Sequence, residues 1–350
     1  MLDEFHRFVI DNIAKLRPDV VFITMSPFYL AELIRPLQAL GTRVVIDLRD
    51  PWALDAWPGY RSWFRWRDEM VRMRAALNTA DGFVMNTRDA MDAVIHRLPE
   101  LESRPSIVVE NGWAAADFAA PSPHAERVAG EKGRPFRVVH SGTLHHGSGE
   151  RVHPLKRWMK DLIAYSPQKI DRSGRGPLHV VEAVRQLRHE GLDVRLDLIG
   201  ARSDGLIDFL NRVGGEEFVR ADGYLDHGQA VSFIRNADAL FLPLGALQPR
   251  DRSLIVPGKT YEYMVAGPPV VAALPDGDAK DLASRSSRAF SCDPCDSVEI
   301  ARAIRDTVHW WDLDPADRTL GIESFMQPYE RKNLARKMRD FLGLVVEGAT

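Results

Sequence analysis

At 350 residues the chain is long for one hydrophobic core and suits two domains of about 150 residues each. Its composition is globular, 45% hydrophobic and 27% charged, and a net charge of −3 argues against a dedicated nucleic-acid binder, which is usually basic. No apolar run reaches the ~18 residues of a membrane span and the start MLDEFHRF is unlike a signal peptide, so a cytoplasmic protein is expected.

The first segment reads as a helix, with Leu2, Phe5, Val9, Ile13 and Leu16 as its apolar stripe. Short, β-branched, nearly all-apolar runs follow at Asp19–Thr24, Arg43–Asp47, Gly82–Asn86 and Ser106–Val109. Such runs predict the strands of a parallel sheet covered on both faces. Helices are expected between them, over Phe28–Leu40 and Arg61–Thr79. A stretch rich in Ala, Pro and Gly, Ala114–Pro135, then reads as a domain linker.

After it the alternation restarts. Strands are predicted at Phe136–His140, Val194–Ile199, Ala239–Leu242 and Pro269–Ala272, and helices over Leu178–Glu190, His227–Asn236, Lys259–Ala266 and Ser297–His309. An amphipathic helix near Gln327–Leu342 closes the chain. The pattern predicts two successive doubly wound α/β domains. Their expected limits are 1–118, a linker over 119–135, and 136–326, with 327–350 packing back on the first domain. A doubly wound domain normally opens on a strand, so the helical start predicts a first domain that lacks its N-terminal part.

The tripeptide Gly258-Lys259-Thr260 ends like a P-loop, but a P-loop needs a glycine where this chain has Ser253. The four residues between, Leu254 to Pro257, are too stiff and apolar to cradle a phosphate. A helix is expected to start near Gly258 instead, where free N–H groups and the helix dipole favour an anion. Lys259 adds a point charge. Glu262, one turn on and on the same face, can accept two hydrogen bonds from a ribose diol. By spacing alone, the two could equally be a solvated surface pair.

The segment PGKTYEYMVAGPPVVA resembles the nucleotide-sugar segment of family 4 retaining glycosyltransferases, which have the GT-B fold. VVENGWAAADF (108–118), FRVVHSGTL (136–144) and VRADGYLDHGQAVSFIRNADALFLPL (219–244) resemble further segments of that family in the same order, and VVIDLRDPW (44–52) one of its loops. The likeness covers about residues 19–285. It implies that Glu262 holds the donor ribose and that Lys259 and Gly258 face the diphosphate. Gly142 and Thr143 would meet the diphosphate through backbone N–H groups, Tyr224 and Leu225 would flank the base, and Arg175 would supply a further cation. Arg49 and Asp50 would lie across the cleft near the transferred sugar. The implied reaction needs no metal and no cofactor; the donor is a nucleotide-diphosphate sugar and the acceptor a glycan or lipid-linked molecule, as in envelope polysaccharide synthesis. The family often has a second glutamate where this chain has Leu254, with Asp251 as a substitute nearby.

The stretch 141–177 is longer than the ~2–6 residues of a usual βα loop. Leu155, Trp158, Met159 and Leu162, beside Lys156, Arg157 and Lys160, give it a short basic amphipathic helix of the kind found at membrane surfaces. RSWFRWRDEMVRMR (61–74) has a similar mix, so peripheral membrane contact is an expectation, with packing on the chain's own domain as the alternative. Cys292 and Cys295 read as a strand end and turn, and Asp276-Gly277-Asp278 as a surface turn, so no metal site is expected. Two rivals remain: a non-catalytic or partner-dependent remnant, and a nicotinamide-dependent oxidoreductase, against which the absence of a GxGxxG counts.

Overall fold

The computed structural model describes residues 2–57, 59–119, 134–144, 164–200, 202–313, 318 and 321–348. Two parallel sheets organise them. In the first, β1 (Val20–Thr24), β2 (Arg43–Leu48), β3 (Gly82–Met85) and β4 (Ser106–Val108) lie side by side in chain order. Successive strand residues face opposite sides. Val44, Ile46 and Leu48 therefore enter one core, while Val45 enters the other.

The first of these cores is closed by α3 (Trp63–Thr79) and α4 (Arg88–Arg97), through Met73, Leu77, Met91 and Val94. The second is closed by the last helix, Arg331–Glu347, through Leu334, Phe341 and Val345. Gly82 permits that approach: a Cβ there would stand 3.1 Å from both Phe341 and Val345.

Several helix limits differ from expectation for local reasons. The segment expected as one helix over Phe28–Leu40 is a 3-10 turn, Phe28–Leu33, followed by a short α2, Ile34–Gln38. Pro36 has no N–H to donate to residue 32, so an α-helix cannot run through both halves. Ser62 starts α3 at Trp63 by accepting from the Arg65 N–H at 3.2 Å. Pro328 sits in the turn Ser324–Tyr329 and delays the last helix to Arg331. In α1 (Leu2–Leu16), Val9 and Ile13 pack on the core, whereas Phe5 and Leu16 stay exposed.

The second sheet has six parallel strands in the order β12-β11-β9-β5-β7-β8. These are β5 (Phe136–Ser141), β7 (Val194–Ile199), β8 (Val219–Asp222), β9 (Ala239–Pro243), β11 (Val270–Ala273) and β12 (Ala289–Cys292). Helices Leu178–His189, Asp204–Val213 and Ser297–Asp312 cover one face. Helices His227–Arg235, Gly258–Ala266 and Asp278–Ala283 cover the other. A two-stranded antiparallel ribbon, β6 (Ile170–Asp171) with β10 (Ala246–Leu247), stands apart.

The two sheets are joined by a polar clasp. Asp89 and Asp278 each accept from the other's backbone N–H, at 2.8 and 2.7 Å, so the starts of two helices cap one another across the junction. Arg252 holds the same Asp89 through two hydrogen bonds, at 2.6 and 3.1 Å. Thr87 donates to the Leu254 carbonyl at 2.8 Å.

Candidate donor site at the carboxyl edge of the second sheet

From β5 the chain steps outward to β7 and β8, then returns to the other side for β9, β11 and β12. The carboxyl ends of β5 and β9 therefore flank a topological switch point, where open α/β sheets leave a crevice. β5 ends at Ser141, and Gly142 follows with φ +111°, a backbone that disfavours any side chain. Its N–H donates to the Ile199 carbonyl at 2.7 Å. Ser141 N–H donates to the Tyr263 hydroxyl at 2.8 Å, tying the strand end to the helix Gly258–Ala266.

That helix carries Lys259 and Glu262. Pro257 starts it in an extended conformation and no side chain caps its N-terminus; the Thr260 N–H donates to the Pro257 carbonyl at 2.9 Å, which leaves the N–H groups of Gly258 and Lys259 for a ligand. Its other end is fixed by Arg288, only 1% exposed, which donates to the carbonyls of Met264 at 2.6 Å and Gly267 at 2.9 Å. Burial lowers the Arg288 pKa to about 10, opposed by Glu323 at 3.5 Å. Buried Tyr261, Tyr263 and Met264 seat the helix on the sheet.

Lys259 lies against the glycine: a Cβ on Gly142 would stand 2.2 Å from its Nζ. It makes no ion pair at hydrogen-bond distance among the described residues. Burial, and next the positive charge of Arg175, lower its pKa to about 8, with Glu262 opposing. Arg175 is itself held below the usual arginine range by burial, with Asp55 opposing. Its guanidinium sits 4.9 Å from the Trp57 ring centre, and Arg172 sits 5.6 Å from the same ring. Two cations that repel one another in a half-buried crevice concentrate positive potential there. Beneath them His140 donates through Nδ1 to the Phe241 carbonyl at 2.9 Å, in the tautomer that leaves Nε2 as an acceptor. Burial, then the charge of Lys259, push its pKa down to about 3, so it adds no third positive charge. Its Nε2 and the Thr260 hydroxyl are buried without a hydrogen-bond partner.

Glu262 is partly exposed, with Arg331 as a loose partner at 3.8 Å. Gly258 and Thr143 are exposed at the crevice, Leu225 packs on the core, and Tyr224 is 91% exposed just beyond β8. Thus Gly142, Arg175, Lys259 and Glu262 come together. One expected detail is corrected: the Gly142 N–H is already bonded to Ile199, so the glycine contributes space for the ammonium rather than a donor.

The first sheet's candidates are placed differently. Arg49 donates to buried Asp47 at 2.7 Å and to the Val109 carbonyl at 3.1 Å, so it braces the end of its own sheet. Asp50 faces a cavity within the first sheet's layers and makes no hydrogen bond or ion pair among the described residues. Neither bonds to Lys259, Arg175 or Glu262. Sequence reasoning passed over Asp55, Trp57, His140 and Arg288. Only the position of His140 at a predicted strand end gave any signal for them: Asp55 and Trp57 bond to one another locally, but Arg172 and Arg175 beside them, and the carbonyls that hold Arg288, are remote in sequence.

Among the described residues no group of His, Cys, Asp and Glu could hold a metal ion. Asp276 pairs with Lys280 at 2.8 Å, and Asp278 belongs to the clasp. Cys292 and Cys295 are free thiols, and burial pushes Cys292 up to about 12. The basic amphipathic helix expected around Leu155–Leu162 lies outside the described residues. No described helix is long and apolar enough to cross a membrane.

No protein-family model and no curated protein matches the chain. Solved structures do. A sucrose-phosphate synthase from Thermosynechococcus elongatus superposes with a TM-score of 0.65 at 14% identity, covering 100% of this chain and 79% of the other. A trehalose-6-phosphate protein of E. coli, bound with UDP-2-fluoro glucose, gives 0.62 at 15% identity, covering 98% and 77%. A putative UDP-N-acetylglucosamine 2-epimerase from Listeria monocytogenes gives 0.56 at 14% identity, covering 99% and 79%. The fold is therefore GT-B, two Rossmann-like domains facing a cleft.

Proposed function

We propose that the chain is a glycosyltransferase of the retaining, family 4 kind, moving a sugar from a nucleotide-diphosphate donor to an acceptor hydroxyl. The observation that carries this reading is the pair Lys259 and Arg175, two cations crowded at an uncapped helix start beside Gly142. A diphosphate supplies the missing negative charge. In this reading Glu262, one turn further along the helix, accepts from a ribose diol. Supporting it, the E. coli neighbour is described with a UDP-sugar analogue bound.

In this reading the sugar–phosphate bond breaks as charge builds on the departing diphosphate. Lys259, Arg175 and the helix N–H groups stabilise that charge in a site already organised for it. Retention requires the new bond to form on the face the diphosphate leaves, so the acceptor hydroxyl approaches beside it and its proton passes to a diphosphate oxygen. With the neutralising charges supplied by the chain itself, the reaction requires no metal or cofactor. The acceptor is a glycan or a lipid-linked molecule, consistent with polysaccharide assembly at the inner face of a membrane.

A thermal-shift panel of nucleoside diphosphates, their sugars and NAD tests the reading. A nucleoside diphosphate at 100 times its Kd should stabilise the chain by about 2.7 kcal/mol. Glu262→Ala should remove the advantage of a nucleoside diphosphate over pyrophosphate. A shift with NAD alone, or an unchanged preference in the variant, would refute it.

A further inference from the structure

Arg175 acts electrostatically on both Lys259 and His140, yet among the described residues it makes no hydrogen bond and no ion pair of its own. Its turn, Arg172–Arg175, is fixed from the second sheet's side. Asp171 accepts from the Ser173 N–H at 2.9 Å and from the Ser173 hydroxyl at 2.7 Å. Gly174 is buried so closely that a Cβ there would stand 3.0 Å from both the Leu244 carbonyl oxygen and Pro294. The backbone under Arg175 is therefore held, and what orients its side chain comes from the other sheet.

That contact is Trp57, half-buried in the loop between β2 and α3, whose ring centre lies 4.9 Å from the Arg175 guanidinium. The loop is fastened to the second sheet's side by bonds that do not involve the ring. Tyr60 and Tyr165 exchange backbone hydrogen bonds at 2.7 and 2.9 Å, and Ser166 donates to the Ala56 carbonyl at 3.2 Å. Arg172 donates to the Trp57 carbonyl at 2.6 Å. Asp55 accepts from the Trp57 N–H at 2.8 Å and attracts both arginines, without an ion pair to either among the described residues.

An aromatic face attracts a guanidinium while using none of its N–H donors. A carboxylate in the same place would also fix the arginine, but it would occupy those donors and cancel the charge. Trp57 thus orders Arg175 and leaves it able to bond to an anion. We infer that Trp57 is a positioning residue for the donor diphosphate: from the first sheet's side it holds Arg175 in the crevice, so the site is complete only when both sheets contribute. The inference rests on the proposed function for the identity of the anion.

The test titrates the whole chain calorimetrically with pyrophosphate and with UDP, GDP, ADP and dTDP. Without the ring, the ligand must itself order Arg175, so Trp57→Leu should bind about two- to twelvefold more weakly than wild type. Trp57→Met, a second aliphatic variant, should do the same, and serves where Trp57→Leu does not fold. Trp57→Phe keeps an aromatic face and should bind within about twofold of wild type. Because Trp57 acts through Arg175, the double variant Trp57→Leu with Arg175→Met should bind like Arg175→Met alone. A packing role for the ring would instead leave its loss undiminished beside Arg175→Met, and that result would overturn the inference. So would wild-type affinity in Trp57→Leu, or an equal loss in Trp57→Phe and Trp57→Leu; either would leave the donor reading standing. No binding of any of these ligands by the wild type would remove the donor reading and this inference with it.

Discussion

Replacing Gly142 by alanine probes the contact between the strand end and the cation. The backbone at φ +111° should cost about 1–3 kcal/mol of stability for any L side chain. The added Cβ would meet Lys259 Nζ at 2.2 Å, so the ammonium must retreat by about 1 Å to reach ordinary contact. A displaced ammonium loses its charge-assisted hydrogen bond to a bound diphosphate, worth about 1.5–3 kcal/mol, or roughly ten- to a hundredfold in Kd. Calorimetric titration of a nucleoside diphosphate into wild type, Gly142→Ala, Lys259→Met and the double variant separates the two effects. The affinity losses should not add, because both single changes remove one interaction, and the double variant should bind like Lys259→Met alone. The stability loss of Gly142→Ala should persist in the double variant. Wild-type affinity in Gly142→Ala, or fully additive affinity losses, would show that Lys259 does not bind the anion from this position.

The Lys259 pKa of about 8 gives a second expectation: nucleoside diphosphate affinity should be level below about pH 8 and fall above it. The folded pKa lies below the unfolded value of 10.5, so the unfolded chain holds more protons between about pH 8 and 10.5. Over that window this residue makes folding more favourable as pH rises, opposite in direction to binding, and Lys259→Met should flatten both profiles. Arg288→Met should leave the Met264 and Gly267 carbonyls without their donor and Glu323 with the Ser286 hydroxyl alone, costing about 3 kcal/mol by chemical denaturation. Unchanged stability there would mean that the helix end is held by packing alone.

The strands were legible because parallel strands buried on both faces must be short apolar runs; Val194–Ile199 and Arg43–Leu48 read that way directly. Helix limits were less legible where proline or a cap intervened, as at Pro36, Ser62 and Pro328. Lys259 and Glu262 could be placed on one helix face by period alone, since three residues make nearly one turn. Arg175 was reached only through resemblance to a family.

By itself, then, the sequence determined an alternating α/β chain and a helix start bearing a lysine and a glutamate, since both follow from local periodicity and backbone chemistry. Only the tertiary structure decided that Gly142 supports Lys259, that Arg175 stands beside it, and that Asp50 faces a cavity of its own. Those relations depend on the strand order β12-β11-β9-β5-β7-β8 and on how α2 and α3 lie over the first sheet. Both result from burying remote apolar faces against one another, and local spacing carries no record of which faces meet.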